Sequence, residues 1–131
     1  MKTKIPVKSK PVRLLADQLK KDANVDFGLL FGSQKSGRQK AGSDLDIAVL
    51  FKTPPEGMAL LHYINTLSEL TGAEIDLAVL NQASAFMRHQ VFKSGVPLLI
   101  KDPVRYRRFR EKTITDYQEF KYVSGMPPYD R

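Results

Sequence analysis

Apolar residues along this chain recur with two different periods, and the switching between them predicts the order of elements. Val12, Leu15 and Leu19 are spaced by three and then four residues, as on one face of a short helix from Pro11 to Asp22. Proline suits the first turn, where its missing N–H leaves no bond unmade. Val25 to Phe31 is a short apolar run with Val and Phe, stopped by Gly32-Ser33, and predicts a strand. A polar stretch from Gln34 to Ser43 follows. Asp44 to Phe51 alternates and then turns wholly apolar, as a buried strand does, until Thr53-Pro54-Pro55 ends it. Glu56 to Leu70 returns to the helical period, with Leu60, Leu61, Ile64, Leu67 and Leu70 on one predicted face and Gly72 closing it. Glu74 to Leu80 predicts a strand, Ser84 to Lys93 a short helix, and Val96 to Ile100 a last strand. Asp102-Pro103 has the form of a cap followed by proline at the first helical position, opening a long helix to about Tyr122.

Strands alternating with helices predict an α/β layer structure around a small sheet. At 131 residues and 14.8 kDa the chain has room for one core, so a single domain over residues 1–131 is expected, with residues 1–10 and 124–131 as loose ends. There is no room for a second, substrate-binding domain. Whatever the protein modifies must then help to form the site. No apolar stretch approaches the roughly 18 residues of a membrane span. The basic start, MKTKIPVKSKPVRLLA, lacks the apolar run and small-residue cleavage site of a secretory signal, and the chain has no cysteine. A cytoplasmic protein without a membrane partner is the expectation.

The net charge of +7 is unevenly spread, with seven Lys or Arg and one acid, Asp17, among residues 1 to 21. No aromatic residues interleave these lysines, so the segment reads as a solvated end for which nucleic acid is not required. His62 and His89 have no second histidine or cysteine at metal-ligand spacing and read as structural. Tyr106, Phe109, Tyr117 and Phe120 form a helical stripe suited to core packing, with Arg105, Arg107, Arg108 and Arg110 on its solvated side.

The chemistry is concentrated elsewhere. Residues two apart in a strand share a face, so Asp44 and Asp46 project side by side from the beginning of their predicted strand. Like charges there repel, and a divalent cation removes the penalty; oxygen ligands of this kind select magnesium, manganese or calcium rather than zinc. Taken alone, the pair could also be a solvated strand entrance. The segment Glu74-Ile75-Asp76-Leu77-Ala78-Val79-Leu80 echoes Asp44-Leu45-Asp46-Ile47-Ala48-Val49-Leu50, and the helix between them is long enough for a parallel crossover. If the strands are neighbours in register, Asp76 joins Asp46 at one edge. Three carboxylates so placed can hold two metal ions about 3.5 to 4 Å apart for in-line phosphoryl transfer. Gly32 and Ser33, following a strand, offer free N–H groups and a hydroxyl to a phosphate, with Lys35, Arg38 and Lys40 nearby. They also suit a turn and a helix cap.

Gly-Ser, ten residues, then Asp-x-Asp, as in GSQKSGRQKAGSDLD, resembles the signature of the DNA polymerase β-type nucleotidyltransferase superfamily. Within it the chain most resembles the minimal nucleotidyltransferase antitoxins, from about Phe27 through EIDLAVLNQAS, GVPLLIKDP and YRRFREKTITDYQEF. Many relatives carry Arg before the loop glycine, where this chain has Ser36. The resemblance implies an α/β (α+β) nucleotidyltransferase fold, a small mixed sheet flanked by helices. It also implies magnesium-dependent transfer of AMP from ATP to a tyrosine of a HEPN-family toxin. Asp44 and Asp46 would then be metal ligands, Asp76 would complete a second metal site and help deprotonate the hydroxyl, and Gly32 and Ser33 would grip phosphate. Two other readings of the same residues are an antitoxin that neutralises its partner by contact alone, and a nucleotidyltransferase for a small molecule.

Overall fold

The computed structural model describes residues 9–31 and 44–124, in the order α1 (Lys10–Lys21), β1 (Val25–Phe31), β2 (Asp44–Phe51), α2 (Gly57–Thr71), β3 (Glu74–Val79), α3 (Ala85–Ser94), β4 (Val96–Ile100) and α4 (Pro103–Ser124). β1, β2 and β4 keep the bounds expected from the sequence. β3 stops one residue early, because Leu80 opens a single 3-10 turn through Gln82. Of the expected loose ends, residues 1–10 and 124–131, only Ser9, Lys10 and Ser124 are among the described residues, and they form the cap of α1, its first residue and the last residue of α4.

The strands form one sheet in the order β3-β2-β1-β4. β1 pairs antiparallel with β2 and β4, whereas β2 and β3 run parallel, joined by the α2 crossover. The sheet is therefore mixed, with helices on both faces. On one face α1 and α2 pack Val12, Leu15, Leu19 and Leu67 against Leu45, Ile47, Val49, Phe51 and Ile75. On the other, α3 and α4 bring Val91, Phe92, Tyr106 and Phe109 onto Phe27, Leu29 and Ala48. Burial from both sides explains why β1 reads as an unbroken apolar run instead of alternating. The aromatic stripe of α4 packs inward as expected through Tyr106, Phe109 and Tyr117, and only Phe120 is more exposed.

The predicted apolar face of α2 needs correction. Leu67 is buried and Leu60 and Ile64 half-buried, but Leu61 and Leu70 are exposed, and Tyr63 and Thr71 take the inward positions. Leu61 and Leu70 are nine residues apart, about half a turn out of phase, so they stand on opposite flanks of Leu67 and cannot both face the core with it. Tyr63 lies closer to the Leu67 stripe and stacks edge-on against Phe51 at 5.4 Å.

Side chains supply several backbone partners that secondary structure leaves wanting. Ser9 and Ser84 cap α1 and α3 by accepting from Val12 N and Met87 N. Asp102 caps α4, its Oδ1 accepting from Val104 N at 3.0 Å. Asn81 extends the ladder beyond β3: its Oδ1 accepts from Phe51 N at 3.0 Å and its amide donates to Phe51 O at 2.7 Å.

A bulge in β1 between Val25 and Phe27 lets those two residues face opposite layers, and it leaves Asp26 buried at the kink. Its carboxylate accepts from Lys52 Nζ at 3.0 Å and Arg105 Nη2 at 2.8 Å. Burial raises the Asp26 carboxyl, but the two hydrogen-bonded cations outweigh it and hold the group below the usual range. The start of α4 is thereby tied to the sheet. Arg88 ties α3 to α4 further along, donating to Thr113 and Asp116.

Gly72 ends α2 in the left-handed region at φ 73°, where a side chain would be strained. Gly95 has ordinary extended dihedrals, yet a Cβ there would stand 2.5 Å from the carbonyl oxygen of Val91. Gly95→Ala should accordingly cost about 1–3 kcal/mol through forced displacement of α3 from β4. A urea midpoint unchanged from the parent, at equal slope, would show that the α3–β4 corner yields freely.

Candidate active site

The acidic residues singled out in the sequence come together through backbone register. β2 and β3 pair residue for residue, with Asp44 opposite Glu74, Leu45 opposite Ile75 and Asp46 opposite Asp76. Directly opposite residues share a face, so four acids lie on one side of the sheet where both strands begin. The odd members of the same segments, Leu45, Ile47 and Ile75, point into the core under α1 and α2. This is the face that carries Ala48 and Leu50 toward α3 and α4, beyond which the acids emerge.

Asp44 and Asp46 are half-buried and Asp76 is exposed. The carboxyl of Asp76 is raised above its ordinary value, first by partial burial and then by the negative charge of Asp46, a hydrogen bond with the Asp46 carboxyl and the charge of Asp44. Two carboxyl groups can share a hydrogen bond only when one keeps its proton. Partial burial is the larger cause of the raised value, and the carboxylates that the register brings together add to it.

Gly32 and Ser33 lie outside the described residues, as do Lys35, Arg38 and Lys40. Glu74, which aligns with Asp44 in the sequence without standing out as a site residue, becomes a fourth acid at the same edge through the register. Asp26 carries only one sequence signal, that of an acid inside an apolar strand. It serves the scaffold, at the opposite end of β1 from Phe31, which pairs with Asp46. His89 stacks on Tyr117 with ring centres 3.9 Å apart, in keeping with a structural role, while His62 is exposed on α2. Of the α4 arginines, Arg105 is engaged with Asp26 and all four are exposed.

Among the described residues, no three His, Cys, Asp or Glu side chains converge as a finished metal cage. The acids line one face of the sheet where β2 and β3 begin.

A mixed sheet whose parallel pair presents Asp-x-Asp beside a third Asp is the arrangement expected of a nucleotidyltransferase fold. The chain belongs to the family described as polymerase beta, nucleotidyltransferase, whose model matches residues 14–104. It is 32% identical over 90 residues to protein adenylyltransferase MntA of Shewanella oneidensis, a match spanning 69% of this chain and 63% of that relative, so it falls short of two thirds of its length. It is 24% identical over 133 residues to protein adenylyltransferase MntA of Aphanizomenon flos-aquae, covering 94% of this chain and 89% of that one. Among solved structures, a toxin–antitoxin with AMP-PNP superposes with a TM-score of 0.73 at 26% identity, covering 88% of this chain and 92% of the other. The complex of tri-AMPylated Shewanella oneidensis HEPN toxin with MNT antitoxin superposes with a TM-score of 0.69 at 26% identity, over 85% of this chain and 90% of the other. The resemblance to minimal nucleotidyltransferase antitoxins read from the sequence is borne out in family, fold and relatives. No helix among the described residues is long and apolar enough to cross a membrane.

The crowded edge has a consequence for stability. Because the folded Asp76 carboxyl is raised above the ordinary 3.8, its contribution is most favourable below that value and is lost as pH rises through the raised one. In chelator, Asp76→Asn should therefore raise the thermal midpoint near neutral pH, with the gain vanishing below about pH 4. A variant no more stable than the parent at neutral pH would mean that these carboxylates do not repel in the folded chain.

Proposed function

We propose that this chain is a magnesium-dependent protein adenylyltransferase that transfers AMP from ATP to a tyrosine of a cognate HEPN-family toxin and thereby acts as its antitoxin. It does so as a single domain in the cytoplasm, where ATP is available. The observation that carries the reading is the in-register pairing of Asp46 with Asp76, with Asp44 two residues upstream.

The donor set fits magnesium. This ion is held by one or two carboxylates together with substrate phosphates, and it is seldom enclosed by protein alone. An open edge of hard oxygen donors under mutual repulsion, with no preformed cage among the described residues, meets that requirement. Bound there, magnesium would neutralise charge on the triphosphate and on departing pyrophosphate. Asp44, Asp46 and Asp76 would hold it, two ions being accommodated by three carboxylates. Gly32 and Ser33 would contribute backbone N–H groups and a hydroxyl to the phosphates.

In the reaction the tyrosine oxygen bonds to the α-phosphorus of ATP while the bond from that phosphorus to the bridging oxygen breaks, and pyrophosphate leaves. Asp76, on the exposed side of the edge, receives the phenolic proton. Catalysis rests on positioning and on charge complementarity, since the chain needs no covalent intermediate of its own.

The test is mass spectrometry of the co-expressed HEPN toxin after incubation with this chain, ATP and magnesium. AMP-sized increments are expected, and Asp44→Asn with Asp46→Asn should slow their appearance by at least about 100-fold, the scale on which loss of such charge stabilisation is felt. An unmodified toxin held in a stable, neutralised complex would replace this account with inhibition by contact alone.

A further inference from the structure

The two edges of the sheet are built differently. β4, at one edge, carries Pro97, which has no N–H to offer, and leads directly into Lys101; proline and lysine are usual guards against strand addition. β3, at the other edge, has the sequence EIDLAV, with neither residue, and among the described residues it pairs with β2 alone.

The side chains around β3 show which backbone groups face outward. Ile75 N–H turns away from β2 and reaches Ser68 Oγ on α2 at 3.4 Å. In a parallel ladder alternate residues bond to the same neighbour, so Leu77 and Val79 also turn their N–H and C=O groups away from β2. No helix or strand among the described residues takes them up. On the same side of α2 as Ser68 lies Leu61, which the leucine pattern predicts to face inward. Leu61 is seven residues before Ser68 and shares its stripe of the helix. Seven helical residues span about 10 Å, or roughly three strand residues, which brings Leu61 level with Leu77 and Val79. It is 53% exposed. The edge thus offers main-chain groups, an apolar side chain and, on its other face, Asp76 at the start of the same strand.

Resting on the function proposed above, we infer that β3 is the docking edge for the acceptor: an extended, tyrosine-flanking segment of the toxin adds as a fifth strand beside β3, with an apolar side chain on Leu61. This addition gives the site a way to receive a tyrosine carried on a protein acceptor. Main-chain pairing along Leu77 and Val79 supplies affinity without demanding a particular sequence, and alternation delivers side chains to the Asp76 face and the Leu61 face in turn. The phenol then approaches the carboxylates from the one side that β2 does not close.

Amide hydrogen exchange on the full chain, alone and with the co-expressed HEPN toxin in the presence of a non-hydrolysable ATP analogue, tests this directly. The Leu77 and Val79 amides should slow at least about tenfold in the complex. Leu61→Lys, a change at an exposed position, should weaken the complex by at least about tenfold while leaving the thermal midpoint within a few degrees. A complex in which the β3 amides exchange as in the free chain overturns the inference. So does protection of β3 in the toxin-free chain that grows with protein concentration, since the edge would then pair with a second copy. AMP transfer with unprotected β3 amides sinks the docking edge and leaves the activity standing; absence of both transfer and complex sinks the two together.

Discussion

The parallel ladder between β2 and β3 is the constraint on which the rest depends. It sets Asp46 against Asp76, an arrangement that electrostatics opposes, and the Asp76 carboxyl is raised by partial burial first and by these neighbouring carboxylates second. The ladder persists because the same two strands bury Leu45, Ile47, Val49 and Ile75 on their other face. A slip of one residue would turn these into solvent and bring the acids into the core. Hydrophobic burial of one face, at about 25 cal/mol per Å² of apolar surface, is the larger effect and holds the charged face in place.

The remaining elements protect that register. α2 is the crossover that makes parallel pairing possible, and α1 packs beside it over the same face of the sheet. On the opposite face α3 and α4 cover the middle of the strands, and beyond them Asp44 and Asp46 are half-buried and Asp76 exposed. Two clamps prevent the α3–α4 layer from sliding. Asp26 binds Lys52 and Arg105 at the far end of the sheet, and Arg88 joins Thr113 and Asp116 between the helices. The far end holds its single buried acid by pairing it with cations. The near end gathers four acids on one face of the sheet.

On the function and docking proposed, the edge position of β3 would link site and partner. A carboxylate in a central strand would be hemmed in by neighbours on both sides, whereas among the described residues the strand of Asp76 pairs with β2 alone. On the function proposed, that asymmetry would leave a way in for a protein acceptor.

Much of this architecture is legible in the order of the residues. Strand and helix bounds follow from period, from caps such as Ser84 and Asp102, and from breakers such as Gly72. The echo between DLDIAVL and EIDLAVL anticipates the partnership of Asp46 and Asp76, because side-chain alternation and a helix of crossover length leave few other arrangements. Other features required the folded chain. Whether β2 and β3 were adjacent, which strands ran antiparallel, and that β3 lay at an edge are long-range choices that local periodicity does not encode. Which flank of α2 turned inward was decided by the shape of the sheet beneath it, so Tyr63 entered and Leu61 stayed out. Asp26 has the look of a flaw in an apolar strand until the fold brings Lys52 and Arg105 to it from 26 and 79 residues away in sequence. The sequence alone determined which chemistry was present and the order of elements that carry it. The tertiary structure decided which groups meet, because meeting depends on how the layers close over the sheet.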